Sequence, residues 1–212
     1  TTEIYTLSLH DALPIYIHTA TAAKIYKVAL EEVNSDMRRK AKTANFGIIY
    51  GISTFGLGER LSIPRGEAKL LIDGYFETYP GVKAYMDRAI QQAKEKGYVE
   101  TIFGRKRYLS DINSQNSVVR GYAERNAINA PIQGSAADII KIAMVKIQDR
   151  ISHENLRTRM TMQVHDELNF SVPSDEIEIA RKVVVEEMEN AVQLSVPLIA
   201  DCGIGANWLE AH

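Results

Sequence analysis

The apolar residues change their period along this chain, and that change constrains the fold more than any single motif. Through most of residues 19–151 they recur at the spacing of one helix face, interrupted by Gly and Pro. In RMTMQVHDELNFSVP (159–173) they alternate instead: Met160, Met162 and Val164, then Leu168, Phe170 and Val172. Alternation marks a strand with one buried face. The two runs flank His165, Asp166 and Glu167, so the segment reads as a hairpin with those three at its tip. Helices first and strands last predict an α+β protein rather than a doubly wound sheet.

Within that frame the punctuation places the elements. TATAAKIYKVALEEV (19–33) predicts a helix with Thr19 as N-cap. Ser35 or Asp36 can cap a second helix, which ends near Tyr50 with Gly51 at C′. Pro64 suits the start of a third helix (65–79), stopped by Pro80 and Gly81; a fourth (81–97) closes on Gly97. YVETIFGRKRYL (98–109) reads as a short hairpin with Gly104 in the turn. Residues 117–130 are helical, Pro131 is expected to break or kink the run, and 135–151 resume it. A helix over 175–192 and a strand over 196–202 finish the chain. No internal repeat or low-complexity segment occurs.

At 212 residues, 45% apolar and 25% charged, the composition is that of an ordinary globular protein. No apolar run approaches the ~20 residues needed to span a bilayer, and no basic start leads into a long apolar stretch. Cys202 is the one cysteine, which excludes an internal disulfide and a cysteine-cluster zinc site and makes a reducing cytoplasm the expectation. Net charge is −2, so total charge does not advertise a nucleic-acid ligand. The distribution is more informative. Four of the five residues 38–42 are basic, GRKRY (104–108) forms a second basic knot, and acidic residues gather in 174–190. No phosphate-loop G-x-x-x-x-G-K-[ST] and no G-x-S-x-G nucleophile elbow is present.

RRKAKTANFGIIYG (38–51) sets Arg38, Lys42, Phe46 and Tyr50 at every fourth position. On a helix these are neighbours on one face, and they form a gently spiralling stripe of about 18 Å. That length can accommodate a nucleoside triphosphate laid along the axis. Arg38 as a bidentate fork and Lys42 as a point charge would meet the phosphates near the helix start, where the dipole also favours anions. Phe46 and Tyr50 would offer flat apolar surfaces to sugar and base. Gly47 weakens the helix by about 1 kcal/mol relative to Ala, which makes sense if something packs closely there. The other reading of the same spacing is a basic solvated end followed by two core aromatics.

The residues carry more than spacing. RRKAKTANFGIIYG resembles the R-x-x-x-K-x-x-x-F-G-x-x-Y-G signature of family A DNA polymerases, the bacterial polymerase I type. The resemblance continues through YFETYPGVKAYMDRAIQQAKEKGYVET, NAPIQGSAADIIK, MQVHDEL and PLIADCGIGANWLEAH, in the family's order, and covers 17–212. It implies a right-hand polymerase fold, truncated on its N-terminal side: mostly helical fingers over 16–115 and the second part of an antiparallel palm over 116–212. It further implies that Arg38 and Lys42 contact the triphosphate of an incoming dNTP, with Lys42 also protonating the leaving group. Phe46 would pack on the deoxyribose, Tyr50 near the templating base, and His18 would be an added phosphate donor. The tip HDE looks like the family's third motif. Its Asp166 would ligate the two Mg²⁺ ions of a two-metal site, which need hard oxygen ligands about 3.5–4 Å apart. Glu167 would be secondary there, and His165 would lie near the primer terminus. Arg125, Asn129 and Gln133, again four apart, would probe the minor groove, whose acceptors vary little between base pairs. Pro131 is expected to disturb the last step.

The family's first motif, with a second essential Asp and a Glu that screens out ribonucleotides, normally precedes residue 17 and is absent. TTEIYTLSLHDALPI (1–15) instead resembles a translated sequencing adapter and is expected to be non-native. Tyr16 stands where the family usually has Asp. The chain is therefore expected to lack useful polymerase activity alone, while a longer parent, monomeric and in the bacterial cytoplasm with the nucleoid, extends primer-template DNA. A non-catalytic nucleotide or nucleic-acid binding module, a single-subunit RNA polymerase fragment and a purely structural helical domain remain alternatives.

Overall fold

The computed structural model describes residues 2–8 and 14–211. Two compact units divide the chain: Leu13–Ser135, and Thr1–Ala12 together with Ala136–His212. After β1 (Thr2–Ser8), which belongs to the second unit, come α1 (Pro14–Tyr26), α2 (Ser35–Ile49), α3 (Thr54–Leu61), α4 (Arg65–Thr78) and α5 (Pro80–Lys96). A hairpin of β2 (Tyr98–Glu100) and β3 (Lys106–Tyr108) leads into α6 (Ser117–His153), inside which the division between units falls. Then follow β4 (Arg159–Val164), β5 (Glu167–Pro173), α7 (Ile177–Glu189), β6 (Asp201–Gly205) and α8 (Trp208–Ala211). The α+β expectation holds.

In the first unit, α2, α3 and α4 share a core of Ala44, Ile48, Leu57, Leu61, Ala68, Leu71 and Tyr75. A second cluster joins Ala93 of α5 and Val99 of β2 to Ala123 and Ala127 of α6. Several boundaries differ from the sequence reading. Thr19 is not a cap: α1 begins five residues earlier, at Pro14, and stops at Tyr26, where Lys27 turns to φ 56°. A single 3₁₀ turn, Leu30–Glu32, replaces the predicted end of that helix. The cap of α2 is Asn34 rather than Ser35 or Asp36; its side chain accepts the Met37 N–H at 2.9 Å. The helix ends as predicted. Gly51 adopts φ 72°, its N–H donates to Ile48 O and the Ile52 N–H donates to Gly47 O, each at 2.8 Å, which is a Schellman closure. α3 had no forecast, because Gly56 and Gly58 dilute its apolar pattern; Ser53 caps it by accepting the Gly56 N–H at 3.1 Å. The β2–β3 turn and the Gly97 stop, with Gly104 at φ 80° and Gly97 at φ 76°, form as expected.

Of the break or kink expected at Pro131, the break does not occur, since α6 runs through that residue. A proline removes one rung of the helix ladder and crowds the carbonyl four residues earlier. Neighbouring carbonyls here receive side-chain donors instead. The Tyr85 hydroxyl donates to Ile128 O at 2.8 Å and the Ser135 hydroxyl to Pro131 O at 2.6 Å. Packing of Ala123, Ala127 and Ile128 in the interior holds the run together.

In the second unit a four-stranded antiparallel sheet has the order β4-β5-β1-β6. The latter part of α6 and α7 cover it through Ile139, Ile140, Ala143, Ile147, Val183, Val184 and Met188, which meet Leu168, Phe170 and Val172 of β5. The alternation of β5 is thus realised. Glu167 and Asn169, between those residues, are buried too. The alternation of β4 is not realised: a bulge falls between Met160 and Met162, and Met162 stays 47% exposed on an edge strand. The last strand lies at 201–205 rather than 196–202. β1 pairs with β5 from Thr2↔Pro173 to Ser8↔Glu167 and with β6 from Ile4↔Gly205 to Ser8↔Asp201. The segment read as non-native therefore occupies an interior position of the sheet. Its remainder at residue 1 and residues 9–13 lies outside the described residues.

One polar cluster fastens the start of β4 to the start of α7. The Glu176 carboxylate accepts the N–H groups of Arg157 and Thr158 at 2.9 Å, the Thr158 hydroxyl at 2.8 Å and Arg157 Nε at 2.9 Å. Burial alone would push this carboxyl up, but these donors outweigh it and hold the pKa at about 2, below the ordinary 4.5. A depressed carboxyl stabilises the fold fully above its unfolded pKa, and that stability is lost as pH falls through the window towards about 2. Glu176→Gln is expected to cost on the order of 2 kcal/mol near neutral pH. It should also flatten the loss of stability between about pH 4.5 and 2, measured by urea unfolding across that range.

Candidate nucleotide and nucleic-acid interface

The inner face of α2 is built from small and apolar residues, Ala41, Ala44, Gly47 and Ile48, with Asn45 among them. Ala and Gly let α1 and α4 approach closely, and this fixes the opposite face outward. On that outer face Lys42 is exposed, Phe46 is 50% exposed and Tyr50 is 49% exposed, with Arg38 half-buried. The two aromatics are therefore not core residues, which disposes of the reading that made them so.

The four cations near the start of α2 divide in two. Arg39 pairs with Asp36 at 2.6 Å, and Lys40 with Glu67 at 2.9 Å and Asp36 at 3.2 Å. The hydrogen bond from Arg39, then that from Lys40, hold the Asp36 carboxyl below the usual range. Among the described residues no ion pair engages Arg38 or Lys42, the two that lie on the stripe. Acidic partners are thus spent on the off-stripe cations.

His18 sits differently. It is 5% exposed, on α1, with its ring 5.6 Å from that of Phe46 and inclined by 57°. Its Nδ1 lies 2.9 Å from Asn45 Nδ2, which also donates to the Thr21 hydroxyl at 3.2 Å. The structure therefore joins His18 to the stripe through Phe46. Asn45 was missed by the sequence reading; the signal was present as a lone polar residue on an otherwise apolar helix face. The close packing expected at Gly47 comes from the chain itself: a Cβ there would stand 2.9 Å from Ile52 Cγ2.

Because α6 continues through Pro131, Arg125, Asn129 and Gln133 keep their four-residue spacing on one helix, and Arg125 and Gln133 are exposed. The Arg125 stem lies against the end of α2, and a Cβ on Gly51 would come 2.8 Å from Arg125 Cγ. Gly51 and Arg125 also border an apolar cavity of ≈ 270 Å³ lined by Ile48, Ile52, Phe76 and Ile128. Gly51→Ala is expected to destabilise the unit by about 2 kcal/mol, from the left-handed backbone and the displaced stem together. Gly51→Asn tolerates the backbone but not the contact, so urea unfolding of both variants separates the two causes.

In the second unit, His165 takes φ 54° at the tip of the β4–β5 hairpin, and its carbonyl accepts from Gln163 Nε2 at 2.9 Å. Asp166 beside it is exposed, whereas Glu167 is 7% exposed. An exposed carboxylate on a tight turn has the donor chemistry of a hard cation. Among the described residues, however, no cluster of three or more His, Cys, Asp or Glu could hold a metal. Asp166 fits such an ion as one ligand of an incomplete set.

Residues 15–210 match the family described as DNA polymerase family A. The chain is 53% identical over 196 residues to DNA polymerase I of Streptococcus pneumoniae, 51% over 195 to that of Bacillus subtilis and 50% over 196 to that of Pseudomonas aeruginosa. Each alignment covers 92% of this chain and 22% of the relative, so the chain spans about a fifth of those proteins. A solved structure described as the POL domain of Pol1 from M. smegmatis, in complex with DNA primer-template and dNTP, superposes with a TM-score of 0.90. That match has 38% sequence identity and covers 99% of this chain and 40% of the other. The fold matches part of that POL domain. The chain belongs to DNA polymerase family A. Among the described residues no helix is long and apolar enough to cross a membrane.

Proposed function

We propose that this chain is the fingers and part of the palm of a template-directed DNA polymerase, and that its α2 stripe binds the incoming deoxynucleoside triphosphate. The observation that carries this reading is the order of groups along one exposed face. Two cations without acidic partners among the described residues come first, and two half-exposed rings follow. Arg38 and Lys42 supply charge-assisted hydrogen bonds to phosphate oxygens, and Lys42 hands a proton to departing pyrophosphate. Phe46 and Tyr50 cover sugar and base. Arg125, Asn129 and Gln133 donate to the minor-groove edge of a primer-template duplex. His165 lies near the primer terminus. The M. smegmatis relative, whose description names DNA primer-template and dNTP, supports both ligands.

When bound, a divalent ion such as Mg²⁺ supplies charge neutralisation and an activated primer hydroxyl. Asp166 is the residue of this chain that would hold it, with Glu167 secondary. Since the described residues leave that ligand set incomplete, the isolated chain should bind dNTP without extending primers. Titration of dATP into the purified chain, followed calorimetrically, should give saturable binding that Lys42→Ala weakens. Primer extension with the same preparation and Mg²⁺ should give no product. Absence of dATP binding would overturn the nucleotide reading, and robust extension would overturn the incomplete site.

A further inference from the structure

Beneath the stripe lies a buried polar relay that none of the proposed nucleotide contacts uses. Tyr79, just past α4, shares a hydrogen bond of 3.1 Å with the Thr21 hydroxyl of α1. Thr21 is fully buried and accepts from Asn45 Nδ2, and Asn45, 7% exposed, reaches His18 Nδ1 at 2.9 Å. His18 in turn backs the ring of Phe46, the residue next to Asn45 in sequence.

The amide orientation decides the tautomer. With Nδ2 towards His18 and Thr21, both amide hydrogens are used and the amide Oδ1 is left without a partner among the described residues, while His18 Nε2 is buried as well. The reversed amide would strand the NH₂ group, with two donors, in the interior, which costs more. Nδ1 of His18 is then an acceptor, and the ring proton belongs on Nε2.

We infer that Asn45 is a positioning residue: it fixes His18 as the Nε2–H tautomer and, through that ring, holds Phe46 in the attitude in which the stripe offers it to a nucleotide. The inference rests on the nucleotide reading of the stripe and adds to it a residue that touches no ligand. Its reach is local, one helix pair and one aromatic contact.

The tautomer is read directly by ring ¹⁵N chemical shifts of His18 in the nucleotide-free chain, at about pH 8 where an ordinary imidazole is neutral. The unsubstituted chain should show Nδ1 unprotonated and Nε2 protonated. Asn45→Asp puts an acceptor in the same place and should call the proton to Nδ1. A protonated Nδ1 in the unsubstituted chain, or an unchanged tautomer in the variant, would overturn the inference. Should Asn45→Asp fail to fold, Thr21→Val removes the hydroxyl that orients the amide. It should give a mixture of tautomers, and an unchanged spectrum there counts equally against the inference. In parallel, dATP affinity should fall several-fold in Asn45→Asp. Equal affinity alongside a switched tautomer would refute the positioning role while leaving the nucleotide reading intact. Failure of the unsubstituted chain to bind dATP identifies the nucleotide reading as the part that is wrong, and the positioning role falls with it.

Discussion

Lys42→Ala is expected to weaken deoxynucleoside triphosphate binding by about 10- to 100-fold, the 1.5–3 kcal/mol of a hydrogen bond to a charged group. The side chain is exposed and among the described residues has no ion pair, so its removal leaves the fold untouched. Alanine is also the better helix former. The loss should therefore appear in affinity with no drop in unfolding midpoint. Lys40→Ala is the contrasting control. That lysine is committed to Asp36 and Glu67, and the hydrogen bond it donates to Glu67 raises its pKa. Its replacement should cost a little stability, less than about 1 kcal/mol for such a surface pair, and leave dATP affinity unchanged. Calorimetric titration of both variants, with urea unfolding alongside, tests the division of the four cations into ligand-facing and fold-facing pairs. Similar affinity losses in the two would mean that only bulk positive charge matters.

Phe170→Ala should cost about 3–5 kcal/mol, the largest stability effect of any single change considered. Phe170 is fully buried on β5, among Ile147 of α6 and Val183, Val184 and Met188 of α7. Those helices have no other aromatic in the cluster to fill the space, so the cavity left behind should not collapse completely. Met162, also in the hairpin, is 47% exposed and provides the comparison: Met162→Ala should change stability by no more than about 0.5 kcal/mol. Trp208, the single tryptophan, lies in the same unit and reports its unfolding by fluorescence. A Phe170→Ala loss below about 1 kcal/mol would contradict the packing of this core.

The hairpin, its tip and the punctuation of the helices were legible because each depends on neighbours in sequence. Gly51, Gly97 and Gly104 fall at positive φ, where the chain needs a residue without Cβ. Leu168, Phe170 and Val172 alternate and are buried. The errors came where a distant group changed the local outcome. Pro131 ought to stop a helix, yet Tyr85, from another helix, supplies a donor next to the gap. Met160, Met162 and Val164 alternate just as β5 does, but a bulge and an edge position leave Met162 in water.

The candidate site divides in the same way. Spacing alone determined that Arg38, Lys42, Phe46 and Tyr50 share one face of α2, since four-residue steps do so on any helix. Which way that face points is a tertiary matter: Ala41, Ala44 and Ile48 bury the other side and leave two aromatics half in solvent. Only the packed structure assigns Asp36 and Glu67 to Arg39 and Lys40, leaving the remaining pair of cations without acidic partners among the described residues. Only it brings His18, Thr21 and Asn45 together across two helices. Periodicity fixes neighbours along a chain, whereas partners across a core follow from close packing, which no single segment encodes.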